Sequence, residues 1–116
     1  MADELEDPPT LWEFVCRRAA ATPDQVVLGD EAGRRVTVAE FRDAAERMAA
    51  GLYADGIGPD TVVSWQLPTT IDTLVLLVAL GRLGAVQCPI IPILREREVR
   101  YITNEARTEV LIVRPQ

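Results

Sequence analysis

Few side chains in this 116-residue chain could carry out chemistry. All 12 basic residues are arginine, and the sequence contains no lysine and no histidine. Ser64 is the only serine, and Cys16 and Cys88 are the only cysteines. A Ser-His-Asp or Cys-His arrangement therefore lacks its base, a Walker-type phosphate loop lacks its lysine, and a tetrahedral zinc site lacks imidazole ligands. We predict no catalytic residue and no metal site within the chain.

The composition is that of one globular domain, with 48% apolar and 26% charged residues. The net charge is −6, and four acidic residues lie within the first seven positions, before any basic residue: Asp3, Glu4, Glu6 and Asp7. We predict that residues 1–9 form an acidic, disordered N-terminus and that residues 10–116 form the folded part. Because no basic stripe is present, we expect no nucleic-acid partner.

Three features bear on where the protein resides. The chain begins with acidic residues, whereas a secretory signal begins with basic ones. The most apolar stretch, 73–81, is about half as long as a membrane-spanning helix, so no transmembrane segment is expected. Two cysteines are too few for a disulfide framework. We expect a cytoplasmic protein with reduced thiols.

Threonines followed three residues later by an acid indicate where helices begin, because this is the pattern of a capping box. The pairs are Thr10 with Glu13, Thr37 with Glu40, and in weaker form Thr69 with Asp72. Helices are predicted over about 11–21, from Thr37 to before Gly56, over 70–83 and over about 95–105. The third is apolar on nearly all sides and should be buried.

Short apolar runs between these helices predict strands. Residues 26–28 and 35–37 flank a turn that contains Gly33, as in a β-hairpin. The runs 61–65, 85–88 and 110–113 alternate with the third and fourth helices, as in βαβ units. The prediction is an α/β fold that consists of a mainly parallel sheet with flanking helices and an N-terminal hairpin.

Such a pattern fits either a self-contained doubly wound domain or part of a larger protein. No G-x-G-x-x-G motif follows a strand, and the glycines at Gly56 and Gly58 lie between a helix and a strand, which is the wrong place for phosphate binding. A receiver domain would need acids at the strand ends and a lysine. Neither self-contained alternative is supported by its own residues.

Five segments, in this order, resemble motifs of the adenylate-forming enzymes, which include acyl-CoA synthetases and peptide-synthetase adenylation domains. Residues 36–41 resemble "T-Y-x-E-L", and residues 50–63 resemble "A-x-x-L-x-x-x-G-V-x-x-G-D-x-V". Leu67 and Pro68 with the helix after them resemble "L-P-N-x-x-E", and 80–86 resemble "x-x-R-x-G-A-V". Residues 89–99 resemble the proline-containing, Arg/Glu-rich turn of fatty-acid and alicyclic-acid CoA ligases.

The resemblance implies an N-terminal subdomain of an ATP-dependent acyl-CoA ligase. Such an enzyme uses ATP and Mg²⁺ to convert a carboxylic acid, here a fatty or alicyclic acid, into an acyl-adenylate, and then transfers the acyl group to CoA. The family's phosphate loop and catalytic lysine are expected after residue 116, so the chain alone should be inactive. Its partner would be the remainder of the same enzyme. The alternative is a stand-alone, non-catalytic α/β scaffold or interaction module.

Two further expectations concern the surface of the chain. The densest basic cluster is Arg95, Arg97 and Arg100, which the resemblance suggests as a contact for the phosphates of CoA. However, Ile93 stands where relatives usually have the arginine of "N-P-R-L", and surface pairing with nearby glutamates is the alternative. An apolar patch should lie where the rest of the enzyme packs, and the isolated chain could dimerise through it.

Overall fold

The structure is a computed structural model, and it describes residues 10–115. The predicted acidic N-terminus, 1–9, lies outside the described residues, so its disorder and the domain boundary at residue 10 stay predictions. The helices are α1 Leu11–Ala21, α2 Val38–Ala54, α3 Ile71–Arg82 and α4 Glu96–Ala106. The strands are β1 Val26–Gly29, β2 Arg35–Thr37, β3 Val62–Gln66, β4 Val86–Pro89 and β5 Val110–Val113. All four predicted helices and all five predicted strands are present.

Side-chain caps begin three of the helices, although not all in the predicted form. The full capping box forms at α2, where the Thr37 hydroxyl accepts from the Glu40 amide at 3.1 Å and the Glu40 carboxylate accepts from the Thr37 amide at 2.8 Å. The α1 cap has the Thr10 hydroxyl as acceptor, while the Glu13 carboxylate accepts from Arg17.

The cap of α3 lies one residue later than predicted. Thr70, not Thr69, accepts from the amide of Thr73 at 3.2 Å. Asp72 therefore does not cap the helix, and its carboxylate instead accepts from Arg34 at 3.0 Å. Two adjacent threonines, Thr69 and Thr70, precede the helix, so the local sequence was consistent with either as the cap.

The strands form two separate sheets. β1 and β2 pair antiparallel across a turn, in which Gly33 has φ +88° and the Asp30 side chain accepts from the amides of Ala32 and Arg34. β3 lies between β4 and β5 and is parallel to both. The predicted hairpin and parallel sheet are confirmed.

Helix α3 is at the centre of the core. It contains seven of the buried side chains, and Leu80 and Ala79 are fully buried. One side of α3 packs with α1, α2 and β2, and another packs against β3 with Val63 and Trp65. This explains why the helix is apolar on nearly all sides. Among residues 10–115, no helix is both long and apolar enough to cross a bilayer.

The two faces of the parallel sheet differ in how well they are covered. Val63 and Trp65 on β3 face α3, so the alternate residues, with their partners on β4 and β5, face the opposite side. On that side Val86, Leu111 and Val113 are 49%, 43% and 50% exposed. We call these three residues the open face. Its presence agrees with the predicted apolar patch.

Candidate functional site

The carboxyl edge of the parallel sheet contains the main candidate site. β3, β4 and β5 end there at Gln66, Pro89 and Val113. Because β4 lies on one side of β3 and β5 on the other, the chain changes its direction of winding at β3. In open α/β sheets, ligands bind outside the carboxyl ends of the strands at such a point.

A crevice of about 570 Å³ opens at this edge. It is lined by Gln66, Pro68, Pro92, Val113, Arg114 and Pro115. Arg114 is the only charged side chain among these lining residues. The crevice therefore offers apolar contacts, the Gln66 amide and a single cation, but no acid or base that could move a proton.

Gln66, at the end of β3, connects the central strand to the loop that follows β4. Its side-chain Nε2 donates to the carbonyl oxygens of Leu94 at 2.8 Å and Ile91 at 3.1 Å. The Ile90 amide donates to the carbonyl of Trp65 at 2.8 Å and so continues the pairing of the two strands. One polar side chain thus holds the loop that forms a wall of the crevice.

The two residues before Gln66 also hold neighbouring elements. The Trp65 indole Nε1 donates to Gln87 on β4 at 3.1 Å, and the Gln87 amide donates to the carbonyl of Leu77 on α3 at 2.9 Å. On the opposite face of the sheet, the fully buried Ser64 hydroxyl lies 2.6 Å from that of Thr108, just before β5. These contacts fix the positions of β4, β5 and α3 relative to the central strand.

The predicted arginine cluster lies where α4 begins. Arg95 is the N-cap residue of α4, and Arg95, Arg97 and Arg100 are all exposed. The guanidinium of Arg100 pairs with Glu96, one turn earlier, as the surface alternative predicted. None of the three arginines lines the crevice, whose cation is Arg114. The structure therefore places the cluster beside the carboxyl edge rather than within it.

Within the part of the chain that the structure describes, no three His, Cys, Asp or Glu side chains come together in a group that could hold a metal ion. The Thr37 backbone amide, followed by its hydroxyl, lowers the pKa of Glu40 below its ordinary value. This shift comes from the cap of α2. Because Glu40 lies outside the crevice, the shift concerns the stability of the fold rather than the candidate site.

Comparison with known proteins identifies the family. The sequence profile of the family described as AMP-binding enzyme matches residues 15–116. The chain belongs to this family. A 4-chlorobenzoate–CoA ligase of Arthrobacter is 35% identical over 104 residues, which is 89% of this chain and 20% of the ligase. The probable nonribosomal peptide synthetase CymA of Salinispora arenicola is 31% identical over 105 residues, 90% of this chain and 1% of the synthetase.

Two solved structures share the fold of this chain. The N-terminal subdomain of NpsA from Klebsiella oxytoca superposes with a TM-score of 0.86 at 21% identity, over 90% of this chain and 27% of that one. A fatty acyl CoA synthetase of Mycobacterium tuberculosis superposes with a TM-score of 0.84 at 27% identity, over 90% and 21% of the two chains. The predicted subdomain fold is confirmed. The chain spans one fifth or less of the two curated relatives described above, which are a CoA ligase and a peptide synthetase.

The role of Gln66 could not be predicted from the sequence. A glutamine at the end of a predicted strand gives no local indication of which carbonyls it will meet. The available signal was the pair of prolines at Pro89 and Pro92, because Pro92 has no N–H and leaves the loop short of its own donors. Gln66 supplies such donors from another strand.

Proposed function

We propose that this chain forms the N-terminal part of an ATP-dependent acid–thiol ligase, which activates a carboxylic acid as an acyl-adenylate and transfers the acyl group to CoA. The observation that carries the proposal is the family match over residues 15–116, together with the 35% identity to a CoA ligase. The arginine/glutamate-rich turn after β4 supports a fatty or alicyclic acid as the substrate. The enzyme would act in the cytoplasm.

Within such an enzyme, residues 10–115 would serve as a frame. The described residues include no acidic cluster for Mg²⁺ and no lysine to meet a triphosphate, so they do not fit a site for ATP and Mg²⁺. We therefore assign no step of adenylation to them. The open face supports packing against the remainder of the same enzyme, because exposed Val86, Leu111 and Val113 would be buried by it.

Pyrophosphate exchange tests this proposal directly. The complete enzyme should exchange pyrophosphate into ATP when given a carboxylic acid from a panel of fatty, alicyclic and aromatic acids, and it should form a CoA thioester. The 116-residue chain should do neither, because stabilising the attacked phosphate requires a lysine and a bound metal, and the described residues include no lysine and no group that could hold a metal ion. Pyrophosphate exchange by the 116-residue chain alone would contradict its role as a non-catalytic frame. Absence of exchange by the complete enzyme would contradict the proposed activation of a carboxylic acid.

The arginines at the start of α4 are proposed to meet the phosphates of CoA. Arg95 supports this proposal best, because it is exposed at the N-cap and directly follows the loop that Gln66 holds. Arg100 supports it less, since Glu96 already occupies its guanidinium. Replacing Arg95 by alanine in the complete enzyme should raise the KM for CoA and leave pyrophosphate exchange unchanged. An unchanged KM would assign the cluster to surface ion pairs.

A second candidate is activation of an amino or aryl acid for a peptide synthetase. The 31% identity to CymA favours it, and the family match is equally consistent with it. The acceptor would then be a thiol other than CoA. Adenylation of amino acids without formation of any CoA thioester would select this candidate. If the chain folds and is not part of a longer enzyme, that result would instead support the non-catalytic scaffold.

A further inference from the structure

The loop between β4 and α4 depends on one side chain from another element. Gln66 contributes two N–H donors through Nε2, and two carbonyls of the loop, those of Ile91 and Leu94, lie at hydrogen-bond distance from it. The carbonyl of Pro92 lies farther away, at 3.5 Å. The number of donors on this amide therefore matches the number of near carbonyls in the loop.

Apolar packing holds only the start of this loop. Ile90 is 4% exposed and is anchored to β3 by its amide, whereas Ile91 and Ile93 are 63% and 81% exposed. Within the loop, the Leu94 amide donates to the Ile91 carbonyl at 3.2 Å, which closes a turn with Pro92 at its second position. The turn is thus shaped locally but is attached to the sheet through Gln66.

The Leu94 carbonyl belongs to the peptide bond that joins Leu94 to Arg95. Because a peptide unit is planar and rigid, holding this oxygen also sets the position of the Arg95 nitrogen and so the first residue of the α4 cap. Gln66 therefore determines where α4 begins relative to the carboxyl edge of the sheet. It also lines the crevice next to Pro92, so the same contact shapes one wall of that crevice.

From this geometry we propose that Gln66 is a positioning residue for the acceptor step: its amide holds loop 91–94 and the start of α4 in the place where the thiol acceptor, CoA, is bound. This inference rests on the proposed function. It assigns Gln66 no contact with the reacting atoms and no part in adenylation. Displacing the loop by about 1 Å should weaken acceptor binding by roughly tenfold or more.

The test uses the complete enzyme with Gln66→Glu and Gln66→Met. Glutamate keeps the shape but turns an acceptor oxygen toward two carbonyls, while methionine removes both donors without adding charge. The matched control is Gln87→Glu, which removes the donor to Leu77 on the opposite face of the same sheet. We expect both Gln66 variants to raise the KM for CoA roughly tenfold, with pyrophosphate exchange within about twofold of the parent. The control should leave the KM for CoA unchanged.

Amide hydrogen exchange in the same proteins separates the possible failures. The amide of Leu94, which donates to the Ile91 carbonyl within the loop, should exchange faster in the Gln66 variants, while β3 stays protected. If amide hydrogen exchange in the loop is unchanged, Gln66 does not restrain the loop. If it becomes faster but the KM for CoA is unchanged, Gln66 has no role in the acceptor step. Equal loss of both half-reactions in the Gln66 and Gln87 variants would show a merely structural effect. If the parent enzyme exchanges pyrophosphate but forms no CoA thioester, CoA is not the acceptor. Amide hydrogen exchange would still show whether Gln66 restrains the loop.

Discussion

Replacing Leu80 by alanine should be among the most destabilising single changes in this chain. Leu80 is fully buried on α3 and packs in one cluster with Ile57, Val63, Trp65 and Leu76. The change removes three carbons, each worth about 0.8 kcal/mol on burial, so the transfer cost is about 2.4 kcal/mol. The cavity that remains raises the total to about 3–5 kcal/mol, since the surrounding helix and sheet can close it only in part.

Leu111→Ala is the matched control, because it deletes the same atoms from the open face. Leu111 is 43% exposed and therefore has little more than half of its surface to lose. Exposed space rather than a cavity replaces the missing atoms, so we expect a cost of about 1 kcal/mol. Both variants should remain folded, because a domain of this size is stable by about 5–15 kcal/mol.

Urea unfolding of the chain, followed by tryptophan fluorescence, measures both costs. Trp65 is 9% exposed and contacts the Leu80 cluster, so its emission should report loss of that packing. The free energy of unfolding should fall with urea concentration at the same slope in both variants. The shift in the midpoint then gives the change in the free energy of unfolding. A Leu80→Ala cost below about 1.5 kcal/mol, or one equal to that of Leu111→Ala, would refute the assignment of α3 as the central element of the core.

Three further changes test the caps and the open face. Thr37→Ala should lower the free energy of unfolding by about 1 kcal/mol in urea, because the Glu40 amide loses its acceptor; an unaltered midpoint would argue against the cap. Glu40→Gln should be less stable than the parent at neutral pH, and the difference should disappear as the pH falls through the lowered pKa of Glu40, since protonation ends the advantage of the carboxylate. Unfolding measured from pH 7 down to pH 3 tests this, and a difference that grew on acidification would contradict it. Leu111→Arg should reduce self-association of the chain in sedimentation experiments, whereas Tyr53→Arg on α2 should not. Both side chains are exposed, but only Leu111 belongs to the open face. Equal effects of the two changes would count against the open face as the surface of self-association.

Local sequence signals predicted the secondary structure well. α1 begins and ends at the predicted residues, since the Thr10 cap and the restriction that Pro23 places on Thr22 both act within a few residues. Gly56, predicted to follow the end of α2, has φ +97°, which favours glycine. These features depend on neighbours in the chain and can therefore be read without the fold.

Some side-chain contacts could not be predicted from spacing along the chain. The i,i+4 spacing on α2 allows Asp43 to pair with Arg47, but the Asp43 carboxylate accepts from Arg42 instead. For Trp65, packing in the core and a position facing the rest of the enzyme both fitted the sequence, and the side chain lies in the core against α3. At both positions the sequence allowed more than one partner, and only the structure shows which one is contacted.

Some features of the candidate site are also determined by the sequence alone, and others only by the tertiary structure. The absence of lysine and histidine is a property of the sequence, and it alone excludes the usual catalytic machinery from this chain. The order of capped helices and apolar runs also determined the α/β class, because hydrophobic periodicity and capping are local. Which polar side chains meet was decided only by the tertiary structure. Gln66 and Leu94 are 28 residues apart, and they come together because β3 and β4 pair in parallel and end at the same edge.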